Sequence, residues 1–215
     1  MFTVFPPPPD VLIPVHGTEQ RFPVRRVYCI GRNYRDHVLE MGNDPKADPP
    51  IFFMKPADAI LLNGRFPYPA HSGDVHHEVE LVVALGPEAQ VFGYAVGLDM
   101  TCRDHQALAK KHGRPWEPAK SFDHSAPIGP ITPRGDIMSA GVITLDVNGA
   151  RRQSADLGDL IWSVPEMIAA LRHHAELKAG DLIFTGTPAG VGPVTRGDRM
   201  LAAIAGLGAL SVTVV

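Results

Sequence analysis

The chain has 215 residues, with 20 Lys and Arg against 23 Asp and Glu, and a formal charge of -3 that neither attracts nor repels polyanions strongly and excludes a dedicated nucleic-acid binder. A hydrophobic content of 45% supplies a sizeable core at this length, which excludes disorder as the main state. Two cysteines, Cys29 and Cys102, exclude a disulfide framework, and the abundance of Gly and Pro, 21 of each, predicts many turns and a β-rich fold.

Residues 1–24 read as a proline-rich arm, with Pro6 to Pro9 in a row, ahead of a catalytic domain over residues 25–215. The start has no basic n-region, so a secretory leader is not expected and the expected compartment is the cytoplasm. Arg26 to Ile30 suits a strand, and Asn33 to Met41 suits a short helix ended by Gly42. Ile51 to Met54 is a short strand before Pro56, and the apolar runs His76 to Leu85 and Val91 to Leu98 read as two strands of one sheet. Thr101 to His112 is the clearest helix, with Thr101 as its cap, Asp104 in its first turn and Gly113 at its end. The proline-rich stretch 114–134 reads as a structured loop. Asn148-Gly149 after Val142 to Val147 signals a hairpin with a type I′ turn, and Ser163-Val164-Pro165-Glu166 is a capping box opening a helix to His174. Leu182 to Thr185 is a strand, and Leu201 to Val215 is too short and too interrupted by Gly206 and Gly208 to span a bilayer, so it reads as buried terminal strands. Roughly eight or more strands with about three short helices give one α+β, β-rich domain.

Glu78 and Glu80 lie one residue apart in an apolar stretch, and a strand period of two sends both carboxylates to one face. That face is either fully solvated or holds a cation, and a hard oxygen pair suits Mg²⁺, Mn²⁺ or Ca²⁺ better than zinc. Asp99, at the end of the next apolar run, offers a third oxygen ligand. Cys102 and His105 read as a shared packed face rather than a thiol nucleophile, and His76 reads as an outer partner of the carboxylates.

With these segments in view, the sequence resembles the fumarylacetoacetate hydrolase superfamily. The segments are Gly31-Arg32-Asn33-Tyr34 with His37, Lys55-Pro56, His76-His77-Glu78-Val79-Glu80, Leu98-Asp99-Met100-Thr101 with Arg103-Asp104, Ala119-Lys120-Ser121-Phe122, and Thr185-Gly186-Thr187-Pro188 with Gly190-Val191-Gly192. The resemblance spans nearly the whole chain and points to the smaller acylpyruvate and fumarylpyruvate hydrolase-like members. It implies a mixed β-sandwich or β-roll of the kind found in the family's C-terminal domain. It also implies Mg²⁺ or Mn²⁺ held by Glu78, Glu80 and Asp99, and cleavage of a C–C bond in a 2,4-dioxo acid or decarboxylation of an oxo acid.

His37 and Glu40 stand three apart on the expected short helix, where the carboxylate can raise the basicity of the imidazole. By itself this also suits an exposed pair, and the resemblance makes it a catalytic dyad on a closing lid. Lys120, otherwise an ordinary surface lysine, matches the family's active-site lysine and would stabilise negative charge beside the ion. Arg103 and Gln106 share a helix face near Asp99 and can take a substrate carboxylate, unless Arg103 simply pairs with an acid. Arg32 and Thr187 complete the expected substrate contacts, Thr187 through its hydroxyl and the amides around it. The expected activity is hydrolysis of fumarylpyruvate or another acylpyruvate in aromatic-compound catabolism. Oxaloacetate decarboxylation or oxo-acid isomerisation is the alternative on the same scaffold, and a non-catalytic oxo-acid-binding metal protein the second. The expected partners are a small oxo acid and a second copy in a homodimer, with no nucleic acid and no membrane.

Overall fold

The computed structural model describes residues 2–36 and 49–215. The strand Val79–Leu85 is apolar at all but one position, which is the mark of a strand covered on both faces rather than one. It lies inside a six-stranded sheet ordered Thr132–Pro133, Val91–Leu98, Val79–Leu85, Asp181–Phe184, Arg26–Gly31, Ile51–Lys55, antiparallel except for the Asp181–Phe184 and Arg26–Gly31 pair. The second large sheet runs Ala150–Asp156, Val142–Val147, Arg199–Ile204, Gly208–Val214, Arg65–Phe66.

Side chains alternate between the two covers. Leu81, Val83, Tyr94, Val96, Tyr28 and Ile183 point to the main core, where Ile143, Leu145, Met200, Ala202 and Val212 of the second sheet and Met167 and Leu171 of the helix Val164–Arg172 pack against them. Val82, Ala84, Ala95, Val27, Cys29, Leu182 and Phe184 point the other way, under Ile13, Val15 and Phe22 of a hairpin formed by Leu12–Pro14 and Arg21–Pro23, and under Ile128 and Ile131. The sequence stretch read as an arm thus carries a hairpin that covers one face of the sheet, while Phe2, Val4 and Phe5 before it are exposed. The architecture is the expected β-rich, mixed α+β sandwich.

The Asn-Gly hairpin forms with both turn residues at positive φ, Asn148 at 53° and Gly149 at 79°. The capping box at Ser163 and Glu166 closes as expected, and its helix stops at Arg172. Two expected elements differ in ways that matter for function. The run His76 to Leu85 is interrupted at Glu78, because Val75–His77 pairs in a separate three-stranded sheet with Thr101–Cys102 and Gly192–Val194 before Val79–Leu85 joins the large sheet. The second helix begins at Arg103, so Thr101 is no cap. Thr101 is pulled into a strand pairing with His76, and no side chain caps the helix start. The expected loop 114–134 holds a short helix, Glu117–Lys120. The expected helix from Asn33 to Met41 falls largely outside the described residues. No described helix is long and apolar enough to cross a membrane.

Candidate active site

Glu78 sits at the joint between the small and large sheets, where its carbonyl accepts the Asp99 N–H at 2.9 Å. That bond ties the end of Val91–Leu98 to the start of Val79–Leu85, so Asp99 arrives beside Glu78 and Glu80 although Glu78 itself has left the strand. One oxygen from each of the three buried carboxylates lies within 4.8 Å of the others. An oxygen-only donor set drawn this close out of water fits a hard divalent cation, because three like charges need a counter-ion at that spacing.

Among the described residues, three cations meet these acids. Lys120 is 2% exposed, and its Nζ donates to Glu78 Oε2 at 2.8 Å, Asp99 Oδ2 at 2.6 Å and the Thr101 hydroxyl at 2.6 Å, using all three ammonium protons. Burial works against this charge, but Asp99 and Glu78 outweigh it and push the Lys120 pKa above its usual range. Lys55, also buried, ends the strand Ile51–Lys55 with its Nζ 2.8 Å from Asp99 Oδ1 and donates to the carbonyls of Lys120 and Met100. Arg103 donates to Glu78 Oε1 at 2.6 Å and also to Gln106, which fixes the guanidinium against the carboxylate.

Glu80 is treated differently. Among the described residues no cation lies within ion-pair distance of it, and its Oε2 accepts the Gly186 N–H at 2.8 Å. Burial first, then the charges of Asp99 and Glu78, push its carboxyl well above the ordinary carboxylate range. The folded, metal-free protein therefore keeps a proton on Glu80 that the unfolded chain has released. Between the usual carboxylate pKa and the raised one, its stability falls as pH rises. A cation needs the carboxylate, so Mn²⁺ affinity should climb ~tenfold per pH unit across the same window, with about one proton released per ion. Calorimetric titration in buffers of different protonation enthalpy reads that proton directly. Flat affinity without proton release would contradict the assignment.

Loops from distant parts of the chain hold this centre. Gly186 takes φ +99°, and a Cβ there would lie 2.7 Å from the Asn33 Cβ, so glycine is required for its N–H to reach Glu80. Asn33, fully buried, donates to the carbonyls of Thr185 at 2.7 Å and Trp162 at 3.1 Å, clamping the Gly31 loop to the Thr185–Thr187 segment. Gln153, the one buried residue in the first half of Ala150–Asp156, donates to the Thr187 hydroxyl and the Pro188 carbonyl at 2.8 Å each. Its amide oxygen accepts the Val79 N–H at 3.1 Å and lies 3.0 Å from Nδ1 of His77, which burial keeps below its usual pKa. His77 thus braces Gln153 rather than a carboxylate of the centre, and His76, expected to contact those carboxylates, pairs with Asp74 instead. Cys102 is buried, and burial pushes its thiol up, away from nucleophilic chemistry.

A cleft opens over the carboxylates. Among its lining residues are Arg32, Arg103, Gln106, Lys120 and Thr187, so those expected site residues come together around Glu78, Glu80 and Asp99. His37 and Glu40 lie outside the described residues. Lys55, Asn33, Gln153 and Gly186 carried no assigned role in the sequence. Lys55, Asn33 and Gly186 did lie in the quoted Lys-Pro, Gly-Arg-Asn-Tyr and Thr-Gly-Thr-Pro segments, whereas Gln153 carried no local signal beyond being a polar residue at an inward strand position.

Comparison with known proteins agrees with this geometry. The C-terminal fumarylacetoacetate (FAA) hydrolase family matches residues 26–215. A crystal structure of fumarylpyruvate hydrolase from Pseudomonas aeruginosa in complex with Mn²⁺ and pyruvate superposes with a TM-score of 0.97 at 50% identity, covering 100% of this chain and 99% of that one. An oxaloacetate tautomerase of Escherichia coli is 40% identical over 194 residues, which are 83% of this chain and 88% of the relative. A mitochondrial oxaloacetate decarboxylase of Dictyostelium discoideum is 38% identical over 197 residues, 85% and 90% respectively. With the family matched from the first large-sheet strand to the last residue, the chain belongs to the fumarylacetoacetate hydrolase family of enzymes.

Proposed function

We propose that the protein hydrolyses the C–C bond of a 2,4-dioxo acid of the fumarylpyruvate type, giving pyruvate and a carboxylic acid. The observation that carries this reading is the charge balance of the buried centre. Among the described residues, and with Glu80 ionised, the carboxylates of Glu78, Glu80 and Asp99 offset Lys55, Lys120 and Arg103, so a divalent ion would leave two positive charges for the ligand to meet. A carboxylate together with the enolate that develops on cleavage supplies two negative charges. The full-length likeness to a fumarylpyruvate hydrolase crystallised with Mn²⁺ and pyruvate supports the same chemistry.

Glu78, Glu80 and Asp99 would hold the ion, Mg²⁺ or Mn²⁺, which when bound supplies electrophilic polarisation of a chelating 2-oxo carboxylate. Lys120, whose ammonium lies among the Glu78 and Asp99 oxygens that would hold the ion, would turn its donors to the developing enolate oxygen. Arg103, steadied by Gln106, binds the carboxylate, and the Thr187 hydroxyl, held by Gln153, offers a further donor. On the family resemblance together with the His37 and Glu40 spacing, the imidazole takes a proton from the water that attacks the distal carbonyl. The C3–C4 bond then breaks, its electron pair entering the pyruvate enolate, which is protonated on release.

The names of the Escherichia coli and Dictyostelium relatives favour a second reading, tautomerisation or decarboxylation of oxaloacetate, because each places an enolate at the same C2 oxygen, oxaloacetate's own in the first and pyruvate's in the second, without needing an attacking water. Steady-state assays on fumarylpyruvate, acetylpyruvate and oxaloacetate with Mg²⁺ or Mn²⁺ separate the two. The hydrolase reading expects kcat/KM to be highest for a 2,4-dioxo acid with release of pyruvate. Turnover confined to oxaloacetate would replace it with the second.

A further inference from the structure

The cleft contains two cations that the charge balance above leaves unused, Arg32 and Lys110. Among the described residues neither forms an ion pair, and the three acids that line the cleft are those of the metal centre. The Arg32 Nε is buried without a hydrogen-bond partner. Its backbone stands at φ +60°, a left-handed conformation that strains a non-glycine residue and that the buried Asn33 clamp next to it holds in place. Lys110 rests its ammonium 5.4 Å from the centre of the Trp116 ring. Partial burial, followed by repulsion from Arg103 and Arg32, lowers its pKa, as happens where cations gather without an anion.

Position fixes what such a pair can bind. Arg103, Gln106 and Lys110 follow one another on a single face of the helix Arg103–His112, so Lys110 lies about two turns, or ~10 Å, along the axis from Arg103. Phe53 and Trp116, with ring centres 5.9 Å apart, both line the cleft, Trp116 beside the Lys110 ammonium and Phe53 beside that of Lys120, and give it an apolar wall. A seven-carbon 2-oxo acid has six C–C bonds of ~1.5 Å, which in zigzag span roughly 7–8 Å.

We propose that Arg32 and Lys110 form a second anion subsite that binds the far carboxylate of such a ligand. The enzyme then selects 2-oxo dicarboxylates over 2-oxo acids with an uncharged tail. This rests on the 2-oxo-acid reading above and goes beyond it in naming the end of the substrate that is discriminated and the residues that do so. Arg32, half-buried with its Nε inside the protein, and Lys110, exposed at the rim over Trp116, place two positive charges beside an apolar wall, and a ligand carboxylate can meet both.

A matched ligand pair tests this without turnover. The Mn²⁺-loaded full chain is titrated calorimetrically with 2-oxoheptanedioate and with 2-oxoheptanoate, which differ only in the far carboxylate. The expected result is ~10–100-fold tighter binding of the dicarboxylate. Lys110→Met, which keeps a stem over Trp116, should collapse that ratio toward one, and Lys110→Glu should take it below one. A ratio near one in the wild type, or a ratio unchanged by Lys110→Met, overturns the subsite. Failure to turn over fumarylpyruvate while the binding ratio persists removes the hydrolase reading and leaves the subsite standing.

Discussion

Glu80→Ala is expected to abolish both metal binding and turnover. Glu80 is the one ligand of the three that no described side-chain cation contacts, so it is the carboxylate whose ionisation depends most on the ion. Removing it deletes a ligand while leaving Glu78 and Asp99 tied to Lys120, Lys55 and Arg103, which then repel an incoming cation. Mn²⁺ affinity should fall ~100-fold or more, and since metal assistance is worth several kcal/mol, kcat should fall ~10³-fold or more. The fold should survive, because among the described residues Glu80 makes no side-chain ion pair that the substitution would break. Equilibrium dialysis and steady-state rates check both effects. Full activity in chelator-treated protein would end the metal assignment.

Lys120→Met should separate binding from chemistry in the opposite sense. The substitution leaves Glu78 and Asp99 buried without the ammonium that joins them, a change that typically costs about 3–5 kcal/mol in a buried ion pair, so the metal-free protein should melt well below the wild type. A divalent ion meets the same two carboxylates, so Mn²⁺ should bind at least as tightly as before and restore much of the lost stability. The rate should not recover. Loss of a fixed cation aimed at developing charge costs ~10²–10³ in kcat, and added metal cannot replace it. Thermal melts with and without Mn²⁺, set beside kcat at saturating metal, test both halves. A wild-type rate would make Lys120 a purely structural neutraliser of the acids.

The sequence by itself determined the elements whose cause is local. Alternation and apolar runs marked the large-sheet strands, Asn148-Gly149 marked its hairpin, and Ser163 with Glu166 marked the helix start. Each depends on a few adjacent residues meeting a backbone requirement. The carboxylates were legible for a related reason, since Glu78 and Glu80 stand as charges in an otherwise apolar stretch that must be compensated. Residues 37–48, with the His37 and Glu40 pair, lie outside the described structure, and their reading remains one of sequence.

The tertiary structure decided how those acids are compensated and by which neighbours. Glu78 leaves the strand because its flanks belong to two different sheets, so period two does not explain why it faces Glu80. The Asp99 N–H bond to the Glu78 carbonyl does, and it joins residues on two strands. Thr101 looked like a helix cap because the chain around it is helical in pattern, yet pairing with His76 removed it from the helix and gave its hydroxyl to Lys120. Lys55, Asn33, Gln153 and Gly186 come from four separate segments, and nothing adjacent to them in the chain requires their chemistry. Their partners are set by long-range strand pairing. A buried polar group must find its partner across the core, and only the folded arrangement says which partner that is.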